Sequence, residues 1–368
     1  MIVVVSCHPT PDDERIYHRQ IKTLLGNGYS ITYFTRSKSE LDLSESGLKH
    51  INLNTNHSLK SYMSEILNQL NVVNSPSVLH IHDPYLLRLA KIVKDRFGTK
   101  IIYDVHEDYP AIIDTFSRWG KSLKLIKKMR WLRYESTMLS FVDHIILASP
   151  FIVNSDYKKS GFHPVVLENF PSKEFFNSVD LVSDRGNKII YHGHLGPERG
   201  ISVLVEAMAL VRESIQDATL SLFGTFRRKR YEKKLMHQIK TLSLEKHIKW
   251  DGQLPHFEIW QHLVKNKVGV IPFKDNSLTQ IGTPTKLFEF MAAGCQIVCS
   301  DLPPMTRYKS DGLIFATPGN VNNLGMQLIY ALQNPNKKKI IDNYETINNQ
   351  YNWEAINNRL ITLYKRLL

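Results

Sequence analysis

The sequence predicts an α/β protein of two domains, each with a parallel sheet at its centre. Short apolar runs, such as residues 2–5 and 268–272, alternate along the chain with amphipathic segments of helical period. Such runs are typical of strands that are buried on both faces, as in parallel sheets. The 368 residues are too many for one compact core and suggest two domains of about 170 to 180 residues each.

The composition is that of a soluble globular protein. Apolar residues make up 42% of the chain, and no apolar run reaches the ~18 residues of a membrane span. The chain enters a strand at Ile2 without a signal peptide, so we expect a cytoplasmic protein. Three cysteines without Cys-x-x-Cys spacing predict neither a zinc site nor disulfides. The net charge of +12 indicates an anionic partner.

Strand and helix patterns alternate through the first half of the chain. After the strand at 2–5 and a helix that ends near Gly26, the expected elements are a strand at 30–35, a helix at 59–70, a strand at 77–82, a helix at 84–97, and strands at 100–105 and 143–149. Loops that follow parallel strands lie at the edge of the sheet where ligands bind.

A helix that starts at residue 283 carries the clearest chemistry of the sequence. Thr283 is predicted to be its N-cap and Pro284 its first helical residue, where a missing N–H costs nothing. Gly294 is expected to end it. Apolar runs before and after this helix are predicted strands, so the order of elements is strand, loop, helix and strand.

Three residues in this helix suggest a nucleotide site. The first-turn amides of Thr285 and Lys286 lack an intrahelical acceptor, and they lie at the positive end of the helix dipole. With the Lys286 ammonium they would bind a phosphate. Glu289 lies about 7.5 Å beyond Pro284 along the axis, so its carboxylate can accept hydrogen bonds from both hydroxyls of a ribose.

The motif Pro284-x-Lys286-Leu-Phe-Glu289-Phe-Met-Ala-x-Gly294 resembles the donor-site signature of GT-B glycosyltransferases of the retaining family 4. In that family two glutamates, separated by seven residues, hold the sugar and the ribose of a nucleotide-sugar. Glu289 matches the second glutamate, and Ile281 stands at the first position. The resemblance implies two Rossmann-like domains whose parallel sheets face each other across a cleft, a donor of UDP or GDP type, and no cofactor or metal.

Two loops of the first domain extend the resemblance. The Asp-x-Arg15-Ile loop after the first strand is similar to the first loop of the same family, which implies a contact of Arg15 with acceptor or phosphate. The alternative is an arginine at a helix start, paired with Asp12 or Asp13. Tyr-Asp-Val-His106-Glu strongly resembles a segment whose histidine lies by the donor sugar, so His106 is the candidate catalytic residue. His82 is interpreted as structural.

Residues 116–139 are expected to form one long helix or two, with a strongly basic surface. Between Arg118 and Arg133 there are seven cations and no acid. One interpretation is an interfacial helix on anionic lipid, and the other is a domain helix with a solvated basic face. The candidate membrane residues are Trp119, Lys121, Lys124, Lys127, Lys128, Arg130 and Trp131.

The second domain opens with a glycine-rich turn at residues 193–200. Its spacing is not the Gly-x-Gly-x-x-Gly of dinucleotide folds, which argues against NAD. It resembles the motif Gly-Arg-Leu-x-x-x-Lys-Gly, whose two cations hold the diphosphate. That places Gly193, His194 and Arg199 at the diphosphate, while the alternative for Arg199 is a surface salt bridge with Glu198 or Glu206.

Further likenesses concern the base and the domain boundaries. Gln253 lies in a Gly-Gln-Leu-Pro loop that resembles the loop which reads the base. Residues 165–171 resemble the interdomain linker, and the final helix of GT-B proteins crosses back to the first domain. The expected domains are therefore residues 1–168 with 353–368, and residues 172–352.

The predicted function is transfer of a hexose-type sugar, with retention and without metal, in the synthesis of bacterial surface polysaccharide. The acceptor would be a glycan or a polyprenyl-diphosphate-linked glycan, and the enzyme would lie peripherally on an anionic surface, the inner face of the cell membrane. Rival functions are another GT-B chemistry, such as nucleotide-sugar epimerisation, and a catalytically dead scaffold. No helix-turn-helix, zinc-finger or RRM signature supports a nucleic-acid partner.

Overall fold

The structure is a computed structural model that describes residues 1–39, 41–53, 58–72, 75–152, 157, 159–177, 179–181, 183–308 and 310–368. It divides into two units. The first unit comprises Met1–Asn169 and Ile356–Leu368, and the second comprises Phe170–Ala355. Within the described residues, no helix combines the length and the apolar character that a membrane span requires.

The first unit is built on one parallel sheet. Its strands, within the described residues, are β1 (Ile2–Val5), β2 (Ile31–Thr35), β3 (Leu48–Asn52), β4 (Val78–Ile81), β5 (Lys100–Val105), β6 (His144–Leu147) and β7 (Val165–Val166). They pair in the order β3-β2-β1-β4-β5-β6-β7, and each pair of neighbouring strands is parallel over the described residues. The order reverses between β1 and β4, which is where open α/β sheets bind ligands.

Helices connect these strands. They are a π-helix (Glu14–Ile21), α1 (Lys22–Gly26), α2 (Leu59–Val72), a 3₁₀ turn (Pro84–Leu86), α3 (Leu87–Phe97), α4 (Tyr109–Phe116) and α5 (Lys121–Leu139). The chain returns to this unit at its end through α13 (Trp353–Ile356), which crosses the unit boundary, and α14 (Asn358–Leu367). There the buried Tyr364 hydroxyl lies 2.8 Å from Nδ1 of His80 on β4.

The second unit has the same construction. Its strands, over the part of the chain that the structure describes, are β8 (Lys188–His192), β9 (Thr219–Phe223), β10 (Ile248–Trp250), β11 (Val268–Ile271), β12 (Gln296–Ser300) and β13 (Leu313–Ala316). They form a parallel sheet in the order β10-β9-β8-β11-β12-β13.

The helices of the second unit begin with two 3₁₀ turns at Lys173–Phe175 and Pro197–Arg199. The α-helices are α6 (Ile201–Ser214), α7 (Lys229–Thr241), α8 (His256–Leu263), α9 (Thr285–Ala292), α10 (Pro303–Thr306), α11 (Val321–Gln333) and α12 (Lys337–Asn349). The predicted α/β class with parallel sheets in both halves is therefore confirmed.

The basic segment of the first unit forms two helices, since α4 ends at Phe116 and α5 begins at Lys121. Three of the residues predicted to face a membrane instead make contacts within the unit. Lys124 Nζ donates to the Asp114 carbonyl at 2.6 Å, and Lys128 Nζ donates to the Asp114 carboxylate at 2.8 Å. The Trp131 ring stacks on Tyr109 with centroids 4.4 Å apart. The sequence pattern could not show that α4 supplies these partners.

Candidate active site

A buried carboxylate, Asp104, organises the carboxyl edge of the first sheet. It belongs to β5 and has no exposed surface. Arg15 donates to both of its oxygens, from Nε at 2.9 Å and from Nη2 at 2.7 Å, and Gln20 Nε2 donates at 2.7 Å. Burial raises the pKa of Asp104, but the Arg15 guanidinium and the neighbouring His106 and His82 together lower it by more, so the pKa lies well below its usual range.

The π-helix explains how Arg15 and Gln20 reach the same carboxylate. They are five residues apart, and i→i+5 hydrogen bonding places residues of this spacing on one face, one turn apart. Asp13 starts this helix, since its side chain accepts from the amides of Arg15 and Ile16. A regular α-helix would turn Gln20 away from Arg15 by more than a quarter turn.

Two histidines complete what we call the Asp104 cluster, which consists of Asp104, Arg15, Gln20, His82 and His106. His82 Nδ1 lies 3.2 Å and His106 Nε2 lies 3.4 Å from Asp104 Oδ2. His82 is fully buried, and its pKa is lowered by desolvation. Desolvation also lowers the pKa of His106, but Asp104 raises it by more, so the net shift is upward.

His106 is the member of the cluster that a ligand can reach. Its side chain is 27% exposed, and its Nε2 faces Asp104 and His82. Nδ1 is then the ring atom available to a ligand, as a donor when the ring is charged. The structure thus places His106 at the carboxyl edge of the first sheet, and its position at the donor sugar stays a prediction.

The sequence interpretations of Arg15 need correction. Its guanidinium pairs with Asp104, 89 residues away, and not with Asp12 or Asp13. Nη1 donates to the Leu167 carbonyl and to Asn169, and the residue is only 4% exposed. A guanidinium held in this way does not face an acceptor or a phosphate, so the structure does not support that contact.

His80, His82 and Asp104 lie close enough together to suggest a metal site. Their present contacts argue against it. Both Asp104 oxygens accept from the Arg15 guanidinium, and Nδ1 of His80 is engaged with Tyr364. A cation already occupies the carboxylate, so this donor set does not fit a metal ion.

In the second unit, the glycine-rich turn after β8 packs directly on Lys286. Gly193 has φ of +108°, and a Cβ there would lie 3.3 Å from Lys286 Nζ. Gly200 has φ of +72°, and a Cβ there would lie 1.7 Å from the Pro272 carbonyl oxygen. Both positions favour glycine because the backbone is left-handed, and at Gly200 the Pro272 carbonyl also fills the space of a side chain. The turn therefore holds the backbone against the start of α9.

Two cations meet at one aromatic ring in what we call the Lys286 cluster, which consists of Lys286, Arg199, Phe273 and Tyr191. Lys286 Nζ lies 5.2 Å from the Phe273 ring centroid, and the Arg199 guanidinium carbon lies 4.6 Å from it. Among the residues that the structure describes, neither cation pairs with a carboxylate, so the proposed bridges of Arg199 to Glu198 or Glu206 are wrong.

The charge of Lys286 is costly in this environment. The residue is 9% exposed, and desolvation, together with Arg199, lowers its pKa from 10.5 to about 7. The pKa of His194 is also lowered, by desolvation and by the cations Arg227, Arg199 and Lys286, so this ring is neutral at pH 7. A bound anion would relieve the repulsion within the cluster.

Glu289 lies on α9, buried between two imidazoles. His256 Nε2 is 2.6 Å from one carboxylate oxygen, and His192 Nε2 is 3.1 Å from the other. Burial raises the pKa of Glu289, while His192 and then His256 lower it by more, to well below its usual value. Each oxygen has a second lone pair that a ribose hydroxyl could use, so the ribose contact stays a prediction.

The start of α9 differs by one residue from the prediction. The helix begins at Thr285, and Pro284 is the N-cap, without a side-chain cap. Thr283 lies one position too early because Pro284 has an extended ψ of 105°. The amides of Thr285 and Lys286 still precede the first intrahelical bond, in which Leu287 N donates to the Pro284 carbonyl at 3.0 Å.

Sequence reasoning missed several residues of these clusters. Asp104, His192 and His256 each contact a predicted residue, but none was singled out. His192 directly precedes the glycine turn, which is a signal that could have identified it. Gln253 lies exposed in the loop between β10 and α8, three residues before His256. Its role in base recognition is untested.

Comparison with known proteins gives a family model for the second unit and a fold for the whole chain. The family model for glycosyl transferases group 1 matches residues 172–348, which lie in the second unit. No curated protein sequence matches the chain. Among solved structures, sucrose-phosphate synthase from Thermosynechococcus elongatus has a TM-score of 0.79 at 17% identity, with 100% of this chain and 98% of that chain covered.

Two further structures show the same likeness. HepE from Anabaena, in complex with UDP-glucose, has a TM-score of 0.75 at 13% identity, with 99% of both chains covered. The E. coli protein described as trehalose-6-phosphate bound with UDP-2-fluoro glucose has a TM-score of 0.68 at 12% identity, with 100% of this chain and 98% of that chain covered. At these identities the likeness shows the fold, which is GT-B with two Rossmann-like domains. The shared fold and the matched family model together support a glycosyltransferase of the GT-B type.

Proposed function

We propose that the protein is a retaining, metal-independent hexosyltransferase that uses a nucleotide-sugar donor in the synthesis of bacterial surface polysaccharide. The observation that carries the donor assignment is the Lys286 cluster. Two buried or half-buried cations without a carboxylate partner lie beside the open amides of α9. A bound diphosphate would supply the negative charge that balances these cations and accepts hydrogen bonds from the amides.

The remaining donor contacts follow from this placement. Glu289 lies about one helical turn beyond Lys286 and would accept from the ribose hydroxyls. Lys286 and Arg199 would take the charge of the leaving diphosphate, a task that a metal ion performs in other enzymes. UDP is the preferred nucleotide because HepE was solved with UDP-glucose. Retention and the role of His106 at the reacting sugar are proposed from the family resemblance.

The chemistry of the carboxylates argues against epimerisation. A nucleotide-sugar epimerase needs groups that exchange protons near neutral pH. Asp104 of the first unit and Glu289 of the second are buried carboxylates, and the pKa of each is held well below its usual value, chiefly by Arg15 at Asp104 and by His192 and His256 at Glu289. These carboxylates would be weak bases. A catalytically dead scaffold would bind the same donor but would not transfer its sugar.

A donor screen tests the proposal. Thermal unfolding would be followed with UDP-, GDP- and ADP-sugars, because a ligand that binds the folded state raises stability by RT ln(1 + [L]/Kd). We expect UDP-sugars to raise the melting temperature and to release UDP slowly by hydrolysis. No shift with any nucleotide-sugar would overturn the proposal, and binding without any release of nucleotide would favour the scaffold.

We also propose that the enzyme works on an anionic membrane and takes a lipid-linked acceptor. Five large apolar side chains, Trp119, Leu123, Leu125, Ile126 and Met129, are between 45% and 54% exposed. Lys121, Lys127 and Arg130 lie among them and are exposed too. Apolar and basic side chains on one exposed segment are what an interfacial helix requires, and each cation contributes about 1 kcal/mol near an anionic surface.

Vesicle co-sedimentation tests the membrane contact. The wild type should pellet with anionic vesicles, less so at high salt, and poorly with neutral vesicles. Replacing Leu123, Ile126 and Met129 by Ser should abolish pelleting, whereas Phe257→Ser with Met326→Ser, two comparably exposed positions of the second unit, should not. Equal pelleting of both variants would mean that α5 has an ordinary solvated face.

A further inference from the structure

A groove on the first unit lies beside the sheet edge that carries His106. Its volume is about 460 Å³, within the range of small-molecule sites. It is formed by α2, the turn after β4, α3 and α5. The residues that line it are Leu59, Lys60, Met63, Tyr85, Arg88 and Tyr134.

The walls of the groove are apolar, and its charges have one sign. Leu59, Met63 and the rings of Tyr85 and Tyr134 supply apolar surface, and Tyr85 is 51% exposed. Lys60 and Arg88 are exposed and, within the described residues, neither forms an ion pair. No acid belongs to the lining. A ligand that complements this surface has an apolar body and a negatively charged group.

The position of the groove ties it to the ligand edge of the sheet. Tyr62, the neighbour of Met63, donates its hydroxyl to the Ser6 carbonyl just after β1. Asp83, just after β4, accepts from the Cys7 amide at 2.7 Å. These contacts lie where the strand order reverses, the place at which open α/β sheets bind ligands.

An aromatic series links the groove to the residues that follow β5. The Tyr85 ring meets Tyr109 edge-to-face, with centroids 5.9 Å apart. Tyr109 stacks on Trp131, and Trp131 lies 5.7 Å from Tyr134. Tyr109 follows His106 by three residues at the start of α4. A molecule in the groove would therefore lie near the candidate catalytic histidine.

We propose that this groove binds the lipid part of a lipid-phosphate acceptor, with the apolar chain against Met63, Leu59 and Tyr85 and the phosphate held by Lys60 and Arg88. The inference rests on the proposed function, in which the acceptor is lipid-linked, and it adds where that acceptor binds. A free sugar acceptor would not complement these walls, because the apolar side chains cannot form hydrogen bonds with its hydroxyls. A bidentate guanidinium suits phosphate oxygens.

A larger cavity of about 540 Å³ in the second unit is a weaker candidate. Gln296 and Leu313, which line it, are the first residues of β12 and β13. It therefore lies at the amino ends of the strands, away from the edge where ligands bind. We assign it no role.

Calorimetric titration with farnesyl diphosphate tests the groove. UDP would be present at saturation, so that the diphosphate site of the second unit is filled. Should UDP not bind, the donor proposal fails, and the same titration would be made in a Lys286→Met background. We expect binding that is at least tenfold tighter than that of inorganic diphosphate or of farnesol, because the groove recognises both parts of the molecule.

Variants locate the binding. Met63→Glu and Arg88→Ser should each weaken farnesyl diphosphate binding by tenfold or more, while UDP affinity and melting temperature stay unchanged. Met326→Glu and Lys91→Ser are matched controls at exposed positions outside the groove. If Met63→Glu fails to fold, Tyr85→Ala takes its place. The inference would be overturned if Arg88→Ser and the Met63 or Tyr85 variant both bound farnesyl diphosphate as tightly as the wild type does. It would also be overturned if the wild type bound inorganic diphosphate as tightly as farnesyl diphosphate.

Discussion

The two buried charged clusters, one in each unit, differ in how their charges are balanced. In the Asp104 cluster a carboxylate meets a guanidinium, an amide and two imidazoles, so the protein itself supplies the partners of the carboxylate. In the Lys286 cluster, two cations share an aromatic ring without a carboxylate between them. The first carboxylate has its countercharge within the protein. The second cluster has two cations without a carboxylate, and this contrast is the basis of our proposal that the donor binds there.

The largest expected effect concerns stability. Arg15→Met should destabilise the first unit by about 3 to 5 kcal/mol, because it leaves a buried carboxylate without its partner. Lys286→Met should leave the second unit equally stable or more stable, because it removes an unpaired cation. Urea unfolding of both variants measures the difference.

The double variant Arg15→Met with Asp104→Leu serves as the control for that contrast and should recover most of the loss. The comparison would fail if Lys286→Met were as costly as Arg15→Met. In that case the second cluster would also be a stabilising structural element.

A smaller effect concerns the donor. Glu289→Ala and Arg199→Ala should each lower UDP affinity by about 1.5 to 3 kcal/mol, or roughly 10- to 140-fold, because each removes a charge-assisted contact. Calorimetry with UDP makes the measurement. Glu206→Ala, which removes a carboxylate without an ion pair to Arg199, is the control and should bind normally. Unchanged affinity in both test variants would contradict the assignment.

The pH dependence of UDP binding follows from Lys286. Its pKa is about 7 without ligand, and a diphosphate favours the charged amine, so binding takes up a proton above pH 7. Affinity should therefore fall as pH rises above 7, by at most about tenfold per unit. Lys286→Arg should bind without this dependence, since arginine stays charged. An equal slope in that variant would assign the titration to another group.

The lowered pKa of Lys286 has the opposite effect on folding stability, which should rise with pH. Without ligand the native state binds fewer protons at Lys286 than the unfolded state does between pH ~7 and 10.5. This group therefore makes the protein more stable as pH rises through that window. Urea unfolding across the window, compared with Lys286→Met, isolates its contribution.

The smallest effect concerns His106. His106→Ala should lower kcat by about 2- to 13-fold, as expected for one hydrogen bond of 0.5 to 1.5 kcal/mol, while UDP affinity stays the same. His144→Ala, at the opposite end of a neighbouring strand, is the control. If UDP affinity fell together with kcat, His106 would belong to the structural part of its cluster.

Local patterns predicted much of the fold. The runs at residues 2–5 and 100–105 coincide with β1 and β5, because buried strands of parallel sheets are continuous in apolar character. The glycine turn and the helix with Lys286 and Glu289 were also found, since turn and capping chemistry is local. The predicted start of this helix was wrong by one residue.

Long-range partners could not be predicted in the same way. Arg15 was paired with neighbouring aspartates, whereas Asp104 is its partner through a π-helix that periodicity did not indicate. Trp131 was placed on an exposed face because only the packing of α4 reveals Tyr109. His256 reaches Glu289 from 33 residues away. Each error concerns a contact between elements, which a single sequence does not encode locally.

The return of the last residues to the first unit has a consequence for synthesis. Tyr364 reaches His80 across 284 positions of the sequence. A nascent chain can therefore finish its second unit, which ends at Ala355, before residues 356–368 join the first unit. Until those residues leave the ribosome, the buried His80 lacks its contact with the Tyr364 hydroxyl. A truncation before Tyr364 would thus affect the half of the protein that is translated first.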